Sequence, residues 1–105
     1  NVLNSSLDMM ITFDFEGHII EFNRVAEDLF GLKRSTARKL PIASLLKSQR
    51  DISVILDGDP EAIHRSEEIV FLDVNGNDIG RGIVLTPLKN SDGKLLGRLL
   101  VARST

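Results

Sequence analysis

The sequence predicts an α+β domain: one five-stranded antiparallel sheet with short helices packed on one face. Three observations predict it. Near the start, two apolar runs, Met9–Phe13 and His18–Phe22, flank the acidic, glycine-ending stretch Asp14-Phe15-Glu16-Gly17, which reads as a β-hairpin. The middle carries helical spacing broken into short pieces. From Glu67 onward three strand-like runs are separated by Asn75-Gly76 and by Ser91-Asp92-Gly93. Hairpins at both ends demand antiparallel pairing, and a half-apolar sheet must bury one face under the helices between them.

After the first hairpin, Asn23 offers a side-chain oxygen to the free N–H groups of a starting helix. Val25, Ala26, Leu29 and Phe30 then recur at helical spacing, with Arg24, Glu27 and Asp28 on the other face. Gly31 supplies the left-handed residue that ends many helices. Pro41 interrupts Ser35–Leu46, so two short helical pieces are expected there. Ile52–Leu56 reads as a further short helix ending near Asp57-Gly58-Asp59-Pro60. Ile69-Val70-Phe71-Leu72 is apolar throughout, as in a strand covered on both faces. Asn75-Gly76 reads as a two-residue turn. The next strand runs from Asp78 to about Leu88, with Pro87 placing its end near an edge, and Leu95–Ala102 makes the last strand.

The 105 residues amount to one domain with one core, read as a single unit over 1–105. Separate cofactor and substrate domains are excluded by that length. The net charge is −2, from 13 basic and 15 acidic side chains without a long block of either sign, so no phosphate-neutralising face is expected and nucleic acid is not a predicted partner. Lys33, Arg34, Arg38 and Lys39 read as a solvated face. The absence of cysteine removes disulfides and thiolate chemistry and fits a reducing compartment. No apolar run approaches the ~20 residues of a membrane span, and no signal-peptide pattern opens the sequence. A cytoplasmic location without membrane contact is therefore expected. The ends, Asn1 and Thr105, read as cut from a longer chain. His18 and His64 stand far apart with no nucleophile motif near either, and the carboxylates are scattered over turns and helix surfaces, so no catalytic set and no metal site is predicted.

The stretch Asp14-x-x-Gly17-x-Ile19-x-x-x-Asn23-x-x-Ala26-x-x-x-Phe30-Gly31 resembles the opening of a PAS domain. Thr86-Pro87-Leu88 with Asp92-Gly93, Gly97 and Val101-Ala102-Arg103 resembles the end of the same fold, and Asn75-Gly76 falls where the family has a glycine turn. The resemblance spans about Leu7 to Arg103. It implies a sensory or interaction module, fused in the family to a histidine kinase, a diguanylate cyclase or another effector in the same chain. At its exit the sequence departs from the family: Arg103-Ser104-Thr105 replaces the Asp-Ile-Thr-like triplet that ties the last strand to a signalling helix.

The same resemblance frames the cofactor question. Light-sensing relatives attach flavin through a cysteine, which is missing here, and Trp and Tyr are missing as well. Haem-binding relatives use a histidine before the third strand, close to His64, yet directly after an Asp-Pro pair, where Glu61 stands here. No cofactor is predicted, neither flavin nor haem through His64. What the resemblance implies instead is a pocket between sheet and helices, lined by Ile55, Ile69, Phe71, Ile83, Leu85 and Leu99 and closed by Arg81.

Arg81 shares a face with Ile79, Ile83 and Leu85 by strand alternation, at a position where the family favours an apolar residue. A buried guanidinium there must meet an internal carboxylate or hold the carboxylate of a ligand. Both readings stand at this point. The flanking Gly80 and Gly82 leave the opposite face bare and permit a bulge or a close approach.

The expected function is a sensory module of a larger signal-transduction protein, binding a small molecule and relaying the signal to its effector. The alternative is a ligand-free domain whose sheet serves as a dimerisation or docking surface. Val2, Leu3 and Leu7 give residues 1–8 an apolar stripe at helical spacing, a possible N-terminal helical extension suited to a homodimer interface.

Overall fold

The computed structural model describes residues 8–59 and 61–102. Its elements run β1 (Met9–Asp14), β2 (Ile19–Phe22), α1 (Arg24–Phe30), α2 (Arg34–Ala37), a 3₁₀ turn (Ile42–Leu45), α3 (Gln49–Leu56), β3 (His64–Leu72), β4 (Asp78–Lys89) and β5 (Leu95–Ala102). The five strands form one antiparallel sheet in the order β2-β1-β5-β4-β3. The N-terminal hairpin and the C-terminal meander therefore meet at the centre, where β1 pairs with β5 from Met9 opposite Ala102 to Asp14 opposite Gly97. Gly97 is required at that seam, because a Cβ there would overlap the Phe13 carbonyl oxygen. The expected stripe at Val2, Leu3 and Leu7 and the exit at Arg103-Ser104-Thr105 lie outside the described residues.

All three hairpin turns are built the same way. Asp14, Asp73 and Asn90 each open a turn, and the Oδ1 of each accepts from the backbone N–H groups two and four residues on. The N–H of Gly17, Gly76 or Gly93 donates to the carbonyl of that opening residue, at 3.0 Å in every case. The three glycines sit at φ 85°, 81° and 80°, the left-handed region that a side chain disfavours. Each loop is thus a type I turn followed by a left-handed glycine. This corrects the reading of Asn75-Gly76 as a two-residue turn: Val74 and Asn75 occupy the turn centre, and Gly76 is the left-handed residue after it. Hydrogen bonds from Asn77 and Asn75 hold the Asp73 carboxyl below its ordinary pKa, against a smaller opposing effect of desolvation.

Asn23 caps α1 as expected, its Oδ1 accepting from Ala26 N–H at 3.0 Å. The same oxygen also accepts from Met10 N–H at 3.1 Å, while Nδ2 donates to the Asp8 carbonyl at 2.9 Å. One buried side chain thereby fixes the helix start and ties it to β1, where the sequence suggested a cap alone. Gly31 ends α1 in the left-handed conformation, φ 72°. The two short pieces around Pro41 are α2 and the 3₁₀ turn. α3 starts at Gln49, earlier than Ile52, because the Ser48 side chain accepts from Asp51 N–H.

β3 also begins earlier than expected, at His64, with an irregular pairing between Ser66 and Ile69. Its free edge is covered: Val70 N–H donates to Asp51 Oδ2 at 3.0 Å, and the Val70 carbonyl accepts from Lys47 N–H at 3.2 Å. Covering an edge strand removes a template for unwanted pairing. Pairing of β4 with β3 stops at Leu85, which leaves one side of β4 open at Pro87 and accommodates its missing N–H.

One sheet face and the helices share a single core. Met9, Ile11 and Phe13 of β1, Ile83 and Leu85 of β4, and Leu100 and Ala102 of β5 face Ala26, Phe30, Ala37, Ile42, Leu45 and Ile55 from the helical layer. Phe30 joins the layers, with its ring centroid 5.7 Å from those of both Phe22 and Phe71. Among the described residues no helix is long and apolar enough to cross a membrane.

Candidate functional site

The predicted pocket residues fall into three groups. Ile55, Ile69, Phe71, Ile83 and Leu85 come together between sheet and helices, each no more than 2 % exposed and all in one buried cluster. They meet as part of the buried core.

Leu99 does not join them. It pairs with Thr12 and Thr86 and sits half-buried on the opposite face of the sheet. Lys89 pairs with Leu95 but Leu88 pairs with Gly97, so Leu96 is an extra residue in β5. Without that bulge Leu99 would stand opposite Leu85; with it, Leu100 does, and every later side chain changes face.

Arg81 is the third case. It shares the inner-face register of Ile79, Ile83 and Leu85 and lies opposite Ile69, yet it is half-buried, not enclosed. Its Nη1 donates to the neighbouring Gly80 carbonyl at 2.8 Å. No ion pair joins it to a carboxylate among the described residues. The bare Gly80 is used as expected, since the Glu68 side chain lies against it.

The buried guanidinium is Arg98, turned inward by the same bulge. It is 4 % exposed. Nη1 donates to the Ile55 carbonyl, one of the free carbonyls at the end of α3, at 3.1 Å, and buried Nε has no hydrogen-bond partner. Burial pushes its pKa below the ordinary arginine value, and the charge of Asp59 opposes that effect. An arginine stays protonated regardless, so a positive charge is held inside with one donor unmet.

Beside it lies a cavity of about 60 Å³ lined by Phe13, Asp14, Phe15, Leu56, Gly58 and Arg98. β1 and its turn supply one wall, the end of α3 another, and β5 the guanidinium. The sequence hid this residue because Leu95–Ala102 is apolar at both parities, leaving the face of Arg98 to the bulge.

Two further clefts are open to solvent. One, against α3 and β3, is lined by Ser48, Arg50, Asp51, Val54, His64, Arg65, Ser66, Glu68 and Val70. His64 is exposed on β3 within it. An axial haem ligand needs an apolar slot, and these residues do not fit one. The other lies around α1 and α2. There Arg34 holds Glu21 through both Nε and Nη2, at 2.9 and 2.6 Å, and that hydrogen bond raises the Arg34 pKa. Part of the basic cluster at Lys33–Lys39 is thus already paired. Among the described residues no group of three or more His, Cys, Asp or Glu side chains is placed to hold a metal ion.

A meander and a hairpin closed into one sheet, with a short-helix layer on one face, define a small α+β domain. A family profile described as PAS domain matches residues 7–104, and the chain belongs to the PAS domain family, a family of sensory modules. Solved structures share the fold. The PAS domain of a Colwellia psychrerythraea protein superposes with a TM-score of 0.85 at 19 % identity, covering 99 % of this chain and 91 % of that one. A domain of a sensory box sensor histidine kinase/response regulator from Geobacter sulfurreducens gives 0.73 at 20 %, covering 98 % and 88 %. The light-state dimer of the fungal blue-light photoreceptor Vivid gives 0.75 at 14 %, covering 95 % and 79 %. At these identities the likeness is one of fold. No curated protein sequence matches the chain.

Proposed function

We propose that this PAS domain is the input module of a larger signal-transduction protein of the histidine-kinase or diguanylate-cyclase type. It admits a small ligand between sheet and helices and relays occupancy to an effector in the same chain. The observation that carries this reading is Arg98: a charge at 4 % exposure, one donor unmet, beside a cavity. Folds rarely keep such a group inside without a partner for it. β5 carries Arg98 and also pairs along β1 and β4, so a ligand that moves the guanidinium acts on the strand that holds both halves of the sheet. The Geobacter domain comes from a sensory box sensor histidine kinase/response regulator, the kind of protein proposed here.

The test is thermal unfolding of the purified chain against a panel of small anions, cations and neutral molecules. A ligand present at 100 times its Kd adds about 2.7 kcal/mol of stability, or roughly 10 °C or more for a domain of this size. At least one chemical class should produce such a shift. A chain indifferent to every class would overturn the reading.

A second reading has its own observation. The outer sheet face carries half-exposed Met10, Val84, Leu88, Leu99 and Val101, aligned as Met10 with Val101 and Val84 with Val101. A face of this kind suits a second copy of the chain; the similar photoreceptor Vivid forms a light-state dimer. Sedimentation that stays monomeric at high concentration would remove it.

A further inference from the structure

We infer that the uncovered half of the β3 edge pairs with the same edge of a second copy of the chain, antiparallel and centred on Ser66. This surface is distinct from the outer sheet face described above, and the inference does not rest on ligand binding. β3 is the last strand of the sheet. Its edge is closed at Val70, whose N–H and carbonyl are taken by Asp51 Oδ2 and Lys47 N–H. Val70 stands opposite Gly80, and Arg65 stands opposite Val84. Gly80 and Val84 are four residues apart on β4 and point the same way, so the N–H and carbonyl of Arg65 turn outward as those of Val70 do. Among the described residues nothing takes them.

An open cleft of about 800 Å³ lies along this part of the edge, between His64, Arg65 and Ser66 of β3 and Arg50 and Val54 of α3. A free edge beside open space is where an added strand fits.

The occupant follows from the order of charges. The edge reads His64-Arg65-Ser66-Glu67-Glu68, basic then acidic about a neutral centre. Two such strands, antiparallel about a two-fold axis at Ser66, place Arg65 opposite Glu67 of the copy and His64 opposite Glu68 of the copy, each twice over. Opposite charges across a seam attract, and a strand of uniform sign is turned away. Glu68 already lies against Gly80, so positions 65 and 67 carry the match. Arg65 is exposed and joins no ion pair among the described residues.

The same register brings residue 62 of the copy opposite Val70, before the copy's own β3 begins at His64. The added strand therefore ends short of the stretch that Asp51 and Lys47 occupy. A seam this short supports weak, salt-sensitive association.

The chain has no cysteine, so S66C carries its only thiol. Across the two-fold, Ser66 faces itself in a pair without hydrogen bonds, with Cα atoms about 4.5 Å apart, a span a disulfide bridges. Diamide should link S66C into a dimer at least about tenfold faster than S91C, a turn control, because pairing raises the effective thiol concentration. Sedimentation equilibrium of the cysteine-free chain gives the second readout. R65E and E67R should each weaken self-association about tenfold or more. R65E/E67R exchanges the signs, keeps the palindrome and should restore it.

A chain that stays monomeric at high concentration overturns the proposal, as does S66C that links no faster than S91C. A folded R65E/E67R that stays as weak as R65E also overturns it. If R65E/E67R does not fold, S66C decides the matter. A dimer indifferent to both single charge reversals lies on the outer sheet face and overturns this inference in favour of that one. The unfolding panel tests ligand sensing separately, so failure here leaves that reading standing.

Discussion

Replacing Arg98 by methionine should stabilise the ligand-free chain, and the structure sets the size of the effect. The substitution removes the hydrogen bond from Nη1 to the Ile55 carbonyl, a loss of about 1.5–3 kcal/mol for a charged donor. It also removes a buried, under-paired charge, whose uncompensated burial costs about 3–5 kcal/mol. The attraction of Asp59 subtracts little, because Asp59 is exposed and such pairs contribute about 0.2–1 kcal/mol. Methionine fills most of the volume of the arginine stem, so the cavity penalty is small. The balance favours R98M by about 1–2 kcal/mol, equivalent to a Tm at least ~4 °C higher and a urea midpoint about 0.5–1 M higher at unchanged slope. Urea unfolding followed by circular dichroism measures it. A loss of more than about 1 kcal/mol would refute the reasoning, since it would mean that Arg98 already has its counter-ion in the empty protein.

Gly97 should tolerate no side chain: G97A drives a methyl group into the Phe13 backbone at the β1–β5 seam and should cost about 3 kcal/mol or more, because backbone cannot rotate aside. A urea midpoint close to that of wild type would show that the strands have room to part. Asp73, whose folded pKa is depressed by its turn, stabilises the β3–β4 hairpin above its ordinary unfolded pKa, and that contribution fades as pH falls through the depressed folded value. D73N should therefore flatten the acid limb of the stability–pH curve, and an unchanged limb would contradict the assignment. R81L should alter stability by less than about 1 kcal/mol, as expected for a half-buried arginine that donates to its neighbour's carbonyl and joins no carboxylate among the described residues; a loss of several would reveal a carboxylate partner.

What the sequence disclosed follows from where its signals are local. Asn23, Gly31 and the three glycine turns are short-range devices, and they located the elements from the sequence. The turn type at Asn75-Gly76 was misread because the decisive residue is Asp73, whose side chain accepts two N–H groups. Asp14 and Asn90 repeat that pattern at the same spacing from a glycine, a signal available in the sequence. The inner-face set of Ile55, Ile69, Phe71, Ile83 and Leu85 was readable because an α+β fold buries those positions.

Leu99 was misplaced for a different reason. Alternation carries side-chain direction along a strand only while pairing is regular. The bulge at Leu96 reverses it, and nothing in Leu95–Ala102 marks the bulge. That one inserted residue turns Arg98 inward, while Arg81 keeps its predicted register on β4 and stays half-buried.

The measurement that bears most directly on the sensory reading is Tm against ligand concentration across that panel of small molecules, for wild type and R98M together. An empty site with an unmet donor destabilises wild type until its ligand arrives. For at least one class the two curves should therefore cross: R98M melts higher without ligand and stays flat, while wild type rises past it. Parallel curves, or a wild type that starts higher and never responds, would contradict the account.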